Sequence, residues 1–170
     1  KLPCIIKVPR VPTIQNNKFL DKAKKEVSIN YKDYYGNHEQ FNYPITHAGA
    51  EDWLETFLIE RFNLFGDYED AISSNHRVLW HSVISPLINT GLLTPKQIIA
   101  KTQEFYRHHR IKINSYEGFI RQIIGWREFI LIIYKRNHIE LRNSNFWEFE
   151  DKPIPKSFYT GNTGIPPLDD

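Results

Sequence analysis

The chain has 170 residues, 41% of them hydrophobic and 25% charged, with a formal net charge of +2. That length supports one domain with a real core, and the small charge imposes no global demand for nucleic acid, so any basic surface has to be local. The single cysteine, Cys4, rules out an internal disulfide and a cysteine-built metal cluster within these residues, and it fits a reducing, cytoplasmic compartment.

No apolar run approaches the roughly 18 residues of a membrane span, and no signal peptide is visible. Methionine is absent. The last residues, Pro166-Pro-Leu-Asp-Asp170, carry the prolines and acids of a helix start. Together these features read as a piece of a longer polypeptide.

In chain order, residues 1–17 hold Pro3, Pro9 and Pro12 between apolar residues. Proline at this spacing favours extended backbone, so the segment reads either as a linker strapped across a surface or as a disordered tail. Phe19, Leu20, Ala23 and Val27 recur at helical spacing and predict a short amphipathic helix to about Ile29. Tyr31 to Tyr43 contains Gly36 and Asn37 and predicts a loop. Thr46 can cap a helix to about Phe62, with Trp53, Leu54, Phe57, Leu58 and Phe62 on its apolar face and Gly66 closing the unit.

Asp67 to Ala71 predicts a polar turn, followed by irregular chain to Arg77. Leu79 to Leu87 is apolar but punctuated by His81, Ser82 and Ser85, and Gly91 stops it. Thr94, Pro95 and Gln97 form a strong helix start with a capping box, and that helix runs to about His109. Asn114 and Glu117 predict a second capping box opening a long helix to about Lys135. Residues 137–170 are rich in proline and glycine and predict loops. No alternating strand pattern persists, so the fold class is all-α: several irregular helices with long connecting loops.

Four constellations carry chemical interest. Gly118, Gln122 and Gly125 share one face of the long helix, which reads as a shallow groove or as close helix packing through the glycines; Glu117 and Arg121 can pair at i, i+4. Ser82 and Ser85 with His81 can hold a phosphate at a helix start, or a serine can simply cap that helix. Tyr106-Arg-His-His-Arg-Ile-Lys112 interleaves an aromatic with cations, as nucleic-acid patches do, but it also sits at a helix C-terminus where cations answer the dipole. The seven histidines show no metal-ligand spacing, so no metal site is expected within these residues.

Four segments, in this order, resemble the helical flavin-binding domain of the photolyase/cryptochrome superfamily, most closely its bacterial photolyase-related branch with an iron–sulfur cluster. They are Phe65-Gly-Asp-Tyr-Glu-Asp-Ala71, His81-Ser-Val-Ile-Ser-Pro-Leu-Ile-Asn-Thr-Gly-Leu-Leu-Thr-Pro-Lys-Gln97, Asn114-Ser-Tyr-Glu-Gly-Phe-Ile-Arg-Gln-Ile-Ile-Gly-Trp-Arg-Glu-Phe129 and Tyr159-Thr-Gly-Asn-Thr-Gly-Ile-Pro-Pro-Leu-Asp-Asp170. The resemblance covers about Pro44 to the end. It implies that residues 1–17 are an extended interdomain linker and residues 18–170 the first half of the helical FAD-binding domain. Tyr68 and the turn His81, Ser82, Val83, Ile84 and Ser85 would bind the FAD phosphates, with His81 standing where the family often has threonine. Arg127 would face the flavin diphosphate. Arg121, Gln122 and Trp126 would meet damaged DNA, with Gln122 and Trp126 at the mouth that receives the flipped base.

The implied function is light-dependent DNA repair, splitting a flipped-out pyrimidine photoproduct by photoinduced electron transfer from reduced FAD. No catalytic residue is assigned to these positions. An antenna domain would precede Lys1. A second helical half would follow Asp170, carrying the catalytic histidine and the cysteine ligands of an iron–sulfur cluster, so these residues by themselves are expected to be inactive. Two other readings stand beside it: a cryptochrome-like blue-light sensor, and a degenerate helical interaction module without flavin.

Overall fold

A computed structural model describes residues 7–14, 17–34, 36–73, 75–145, 147 and 152–169. Its elements are α1 (Lys18–Asn30), a short 3-10 turn (His38–Gln40), α2 (His47–Glu60), α3 (Phe62–Tyr68), α4 (Ser85–Asn89), α5 (Pro95–His108), α6 (Ile113–Asn143), α7 (Lys156–Thr160) and α8 (Pro166–Asp169). No strand occurs among the described residues, and the architecture is all-α. No helix among them is long and apolar enough to cross a membrane.

The helix starts follow side-chain chemistry. The Thr46 hydroxyl accepts from the Gly49 N–H at the start of α2. Thr94 and Gln97 form the expected capping box at α5, with Pro95 at the first helical position. Each contact satisfies a backbone group the helix leaves open. The apolar faces of α2, α3, α5 and the first third of α6 then close on one core. Phe57, Phe62 and Phe65 surround Phe119, with ring centroids 4.8, 5.7 and 5.5 Å away respectively.

Five local expectations are corrected. The helix from Thr46 does not run through to Phe62. It breaks at Arg61, whose guanidinium is buried and turns back to donate to the Arg10 carbonyl and to Glu60. That contact, with Asn42 donating to the Pro12 carbonyl at 2.9 Å and accepting from the Ile14 N–H at 3.3 Å, straps residues 10–14 onto the body. Burial pushes the Arg61 guanidinium below its ordinary pKa, and the neighbouring Glu60 carboxylate partly opposes this. Residues 1–6, including Cys4, and residues 15 and 16 of the expected linker lie outside the described residues.

Gly66 does not end a unit; it sits inside α3 and lets α6 approach. A Cβ there would lie 2.5 Å from the Asn114 carbonyl carbon and 2.6 Å from the Ser115 nitrogen. The buried Ser115 hydroxyl fills the contact, accepting from the Gly66 N–H at 2.9 Å and donating to the Asn63 carbonyl at 3.1 Å. The Asn114–Glu117 capping box does not form. Asn114 donates instead to Asp67 at 2.8 Å, Lys112 pairs with the same carboxylate, and Glu117 pairs with Arg121 at 3.3 Å. The Asn114 and Lys112 contacts tie the start of α6 to α3, and the Glu117–Arg121 pair is the expected i, i+4 contact within α6.

α6 continues past the expected end at Lys135 to Asn143, and the loop-rich tail contains α7 and α8. Within that tail the Asp169 carboxylate accepts from the Thr163 N–H at 2.8 Å and the Gly164 N–H at 3.0 Å, which closes the Thr-Gly-Ile-Pro turn. Arg121 and Arg127 are both exposed, and among the described residues the buried arginine is Arg61. Beyond Ile123 no residue of α6 is buried: Trp126, Phe129, Ile130, Leu131, Ile132 and Tyr134 all face outward.

The two interior glycines named here should respond oppositely. Gly66→Ala forces α6 away from α3 and is expected to cost about 3 kcal/mol, an overpacking penalty. Gly125 meets only the Arg121 Cγ at 3.5 Å, so Gly125→Ala should gain up to about 1 kcal/mol of helix propensity. Urea denaturation of both variants checks this, and a destabilised Gly125→Ala would refute it. The Asp67 carboxyl lies below its ordinary pKa, first because Lys112 and then Asn114 donate to it. A depressed folded pKa gives stability that is present above the unfolded value and lost as pH falls through the folded one. Asp67→Asn should therefore flatten the acid limb of stability below about pH 4, measured as denaturation midpoint against pH.

Candidate functional site

A cleft of about 920 Å³ opens between α3, the 77–85 segment and α6. Phe65, Ile84, Phe119 and Ile123 give it an apolar floor; His81, Ser82, Ser85, Gln122, Trp126 and Arg127 supply polar and aromatic walls. Its size falls in the range of cofactor pockets. The close α3–α6 contact at Gly66 sets one wall, because it fixes Phe65 against Phe119 and Glu69 beside Gly118.

The opposite wall is built by the turn. Val83 has φ of 53°, a left-handed backbone that a β-branched residue rarely adopts. Leu79 has φ of 52°. Such strain persists only where surroundings over-determine it. Here Trp80 is buried and stacks on Tyr68 at 4.4 Å, the Trp53 indole N–H donates to the Ser82 carbonyl at 3.0 Å, and the His81 N–H donates to the Val78 carbonyl at 3.0 Å. The His81 ring meets the edge of Phe65 at 6.5 Å.

The two serines do not cap a helix. Ile84 occupies the cap position of α4 and makes no side-chain cap bond. The hydroxyls of Ser82 and Ser85 have no hydrogen-bond partner among the described residues, and both residues line the cleft. They are donors held at a cavity wall without internal work to do. α4 has only five residues, so its dipole adds little and the wall relies on hydroxyls and cations.

The structure thus gathers eight of the sequence-derived candidates at one cleft: His81, Ser82, Val83, Ile84, Ser85, Gln122, Trp126 and Arg127. Two lie apart from the lining. Tyr68 packs behind the turn on Trp80, and Arg121 stands in an ion-pair ladder between Glu117 at 3.3 Å and Glu69 at 3.5 Å. Arg127 donates to the Ile123 carbonyl of its own helix at 2.8 Å and has no acidic partner among the described residues. Trp126 is 58% exposed and meets Phe129 edge-on. The glycine face of α6 divides: Gly118 packs against Glu69, whose Oε2 would be 3.1 Å from an added Cβ, whereas Gly125 is open.

Sequence reasoning missed Tyr43, Glu69, Asp70, Arg77 and Val78, which also line the cleft. Glu69 and Asp70 read as members of a polar turn, and Arg77 follows irregular chain, so no periodicity marks them. The basic tract is exposed at Arg107, His108 and Arg110, while the His109 ring lies flat on Phe105 at 3.8 Å. No cluster of histidine, cysteine or acidic groups that could hold a metal occurs among the described residues.

No family model matches the chain. It is 33% identical over 155 residues to a (6-4) photolyase of Agrobacterium fabrum, a match covering 91% of this chain and 30% of the photolyase. The chain is photolyase-related. It is also 38% identical over 103 residues to an uncharacterized protein of Acanthamoeba polyphaga mimivirus, covering 60% of this chain and 78% of the viral protein, and it belongs to one family with that protein. This photolyase-related chain therefore spans less than a third of the bacterial relative and most of the length of the viral one.

The turn depends on its anchor. Trp53→Phe removes the indole donor to the Ser82 carbonyl and is expected to cost about 1–2 kcal/mol, the scale of a buried acceptor left unmade. Denaturation together with near-ultraviolet circular dichroism of the Trp80–Tyr68 stack measures it, and unchanged signals in both would refute the anchoring role.

Proposed function

We propose that this photolyase-related chain supplies the phosphate-binding side of an FAD pocket in a light-dependent DNA-repair flavoprotein. The observation that carries the reading is the cleft itself: eight residues from two separate sequence motifs line one cavity, with two hydroxyls that have no hydrogen-bond partner and an arginine that has no acidic partner among the described residues. These groups fit a dinucleotide. Ser82 and Ser85 donate to phosphate oxygens, Arg127 answers their charge, and the floor of Phe65, Ile84, Phe119 and Ile123 excludes water. When bound, reduced FAD would supply the photoexcited electron for splitting a pyrimidine photoproduct.

In this reading Gln122 and Trp126 stand at the mouth, where an exposed indole can stack on a base drawn out of the duplex. Arg121, on the same helix, offers its remaining donors to the DNA backbone. Tyr68 acts from behind, holding Trp80 and through it the turn. The pocket is completed by further polypeptide, in keeping with a relative more than three times as long as the matched region. The run of exposed apolar residues Phe129, Ile130, Leu131 and Ile132 on α6 supports this, since an apolar patch of that kind is normally covered by other protein.

The test is a titration of FAD into the full-length parent polypeptide, followed by flavin absorbance and fluorescence quenching. Bound flavin is expected, with Arg127→Ala weakening it about tenfold, the equivalent of one charge-assisted hydrogen bond. A colourless parent polypeptide that takes up no added FAD would sink the proposal.

A further inference from the structure

Arg77 belongs to none of the motifs that carry the family resemblance, yet it lines the same cleft as Arg127. Resting on the reading of this cleft as a flavin phosphate site, we propose that residues 77–83 form a pre-organised clamp for a diphosphate, with Arg77 as its second cation and as the residue that sets preference for diphosphate-bearing ligands.

The charge balance of the cleft supports this. Its lining holds two acids, Glu69 and Asp70, and two arginines, Arg77 and Arg127. Glu69 pairs with Arg121 through Oε1 at 3.5 Å, and its Oε2 is buried with no hydrogen-bond partner among the described residues. Arg77 is exposed and forms no ion pair or hydrogen bond among the described residues, and Arg127 bonds only a backbone carbonyl. Two cations thus stand beside Asp70 and a half-satisfied Glu69, which shares Arg121 with Glu117. A guanidinium presents a planar fork of donors that matches phosphate oxygens in pairs. With Ser82 and Ser85 between them in sequence, the lining offers donors for two phosphate groups rather than one.

The backbone supports it independently. Leu79 and Val83 both have left-handed φ, 52° and 53°, at the two ends of the stretch that holds Trp80, His81 and Ser82. Leu79 and Trp80 are buried, Trp80 is stacked on Tyr68, and Ser82 is held by Trp53. The segment beside Arg77 is therefore fixed before any ligand arrives. Rigid presentation lowers the ordering cost of binding, which is what strain at a ligand clamp can maintain.

The experiment compares FAD, ADP and riboflavin binding to the full-length parent polypeptide and to its Arg77→Ala and Val83→Gly variants by isothermal titration, with thermal melts to confirm folding. FAD and ADP carry the diphosphate; riboflavin carries none. Arg77→Ala should weaken FAD and ADP about tenfold or more and leave riboflavin unchanged. Val83→Gly, which relaxes the turn without touching charge, should weaken FAD and ADP several-fold while keeping the melt. Equal affinities for FAD and ADP before and after Arg77→Ala overturn the clamp while leaving the flavin reading intact. An equal loss for riboflavin also overturns it, because Arg77 then acts on the whole site. ADP binding that depends on Arg77, without FAD binding, upholds the clamp and removes the flavin. Binding of neither FAD nor ADP by the parent overturns both.

Discussion

The close approach of α3 and α6 at Gly66 is the constraint on which the rest depends. A Cβ at this position would meet backbone at 2.5 Å, so the two helices touch through main chain rather than side chains. Ser115 supplies the hydrogen bonds the contact needs, and Asn63, Asp67, Lys112 and Asn114 tie down the start of α6 around it. Once that distance is set, Phe119 falls among Phe57, Phe62 and Phe65, and the core closes. The same distance decides where Gln122 and Trp126 stand relative to the turn across the cleft.

The two walls of the cleft are held by different physics. The α6 wall is a regular helix whose position is inherited from packing. The turn wall is irregular backbone in unfavourable conformations, stabilised by two tryptophans, one buried and stacked, one donating a hydrogen bond. Packing tolerates small adjustments, whereas a strained turn has essentially one arrangement compatible with its supports. The hydroxyls that would meet charge sit on the less adjustable wall, whereas Arg127 and the aromatic that would meet a base sit on the more adjustable one.

Much of this was legible in the sequence. The all-α class followed from periodicity, and Thr94, Pro95 and Gln97 marked α5 because capping is local chemistry. The turn His81–Ser85 and the residues Gln122, Trp126 and Arg127 were found from motifs, and the fold places them together. What failed was non-local. Asn114 looked like a cap because the rule sees three residues ahead, but a carboxylate 47 positions earlier in the chain won it. Gly66 looked like a terminator, since nothing nearby announces that another helix will press on it. Nothing in the local sequence marks Arg61 for burial or Arg77 for a cleft wall, because burial and cleft lining are properties of the folded chain.

Arg61 has a consequence for how the strap at residues 10–14 behaves. The guanidinium is 2% exposed, its Nε has no partner among the described residues, and its other donors point at the Arg10 carbonyl and at Glu60. Lifting the strap would strand a charge inside the helical body, a state that costs several kcal/mol unless water enters. Peeling of the strap and wetting of the α2–α3 elbow are therefore one event. Protease nicking in the strap and amide exchange at the elbow should report the same opening, two clocks reading a single latch.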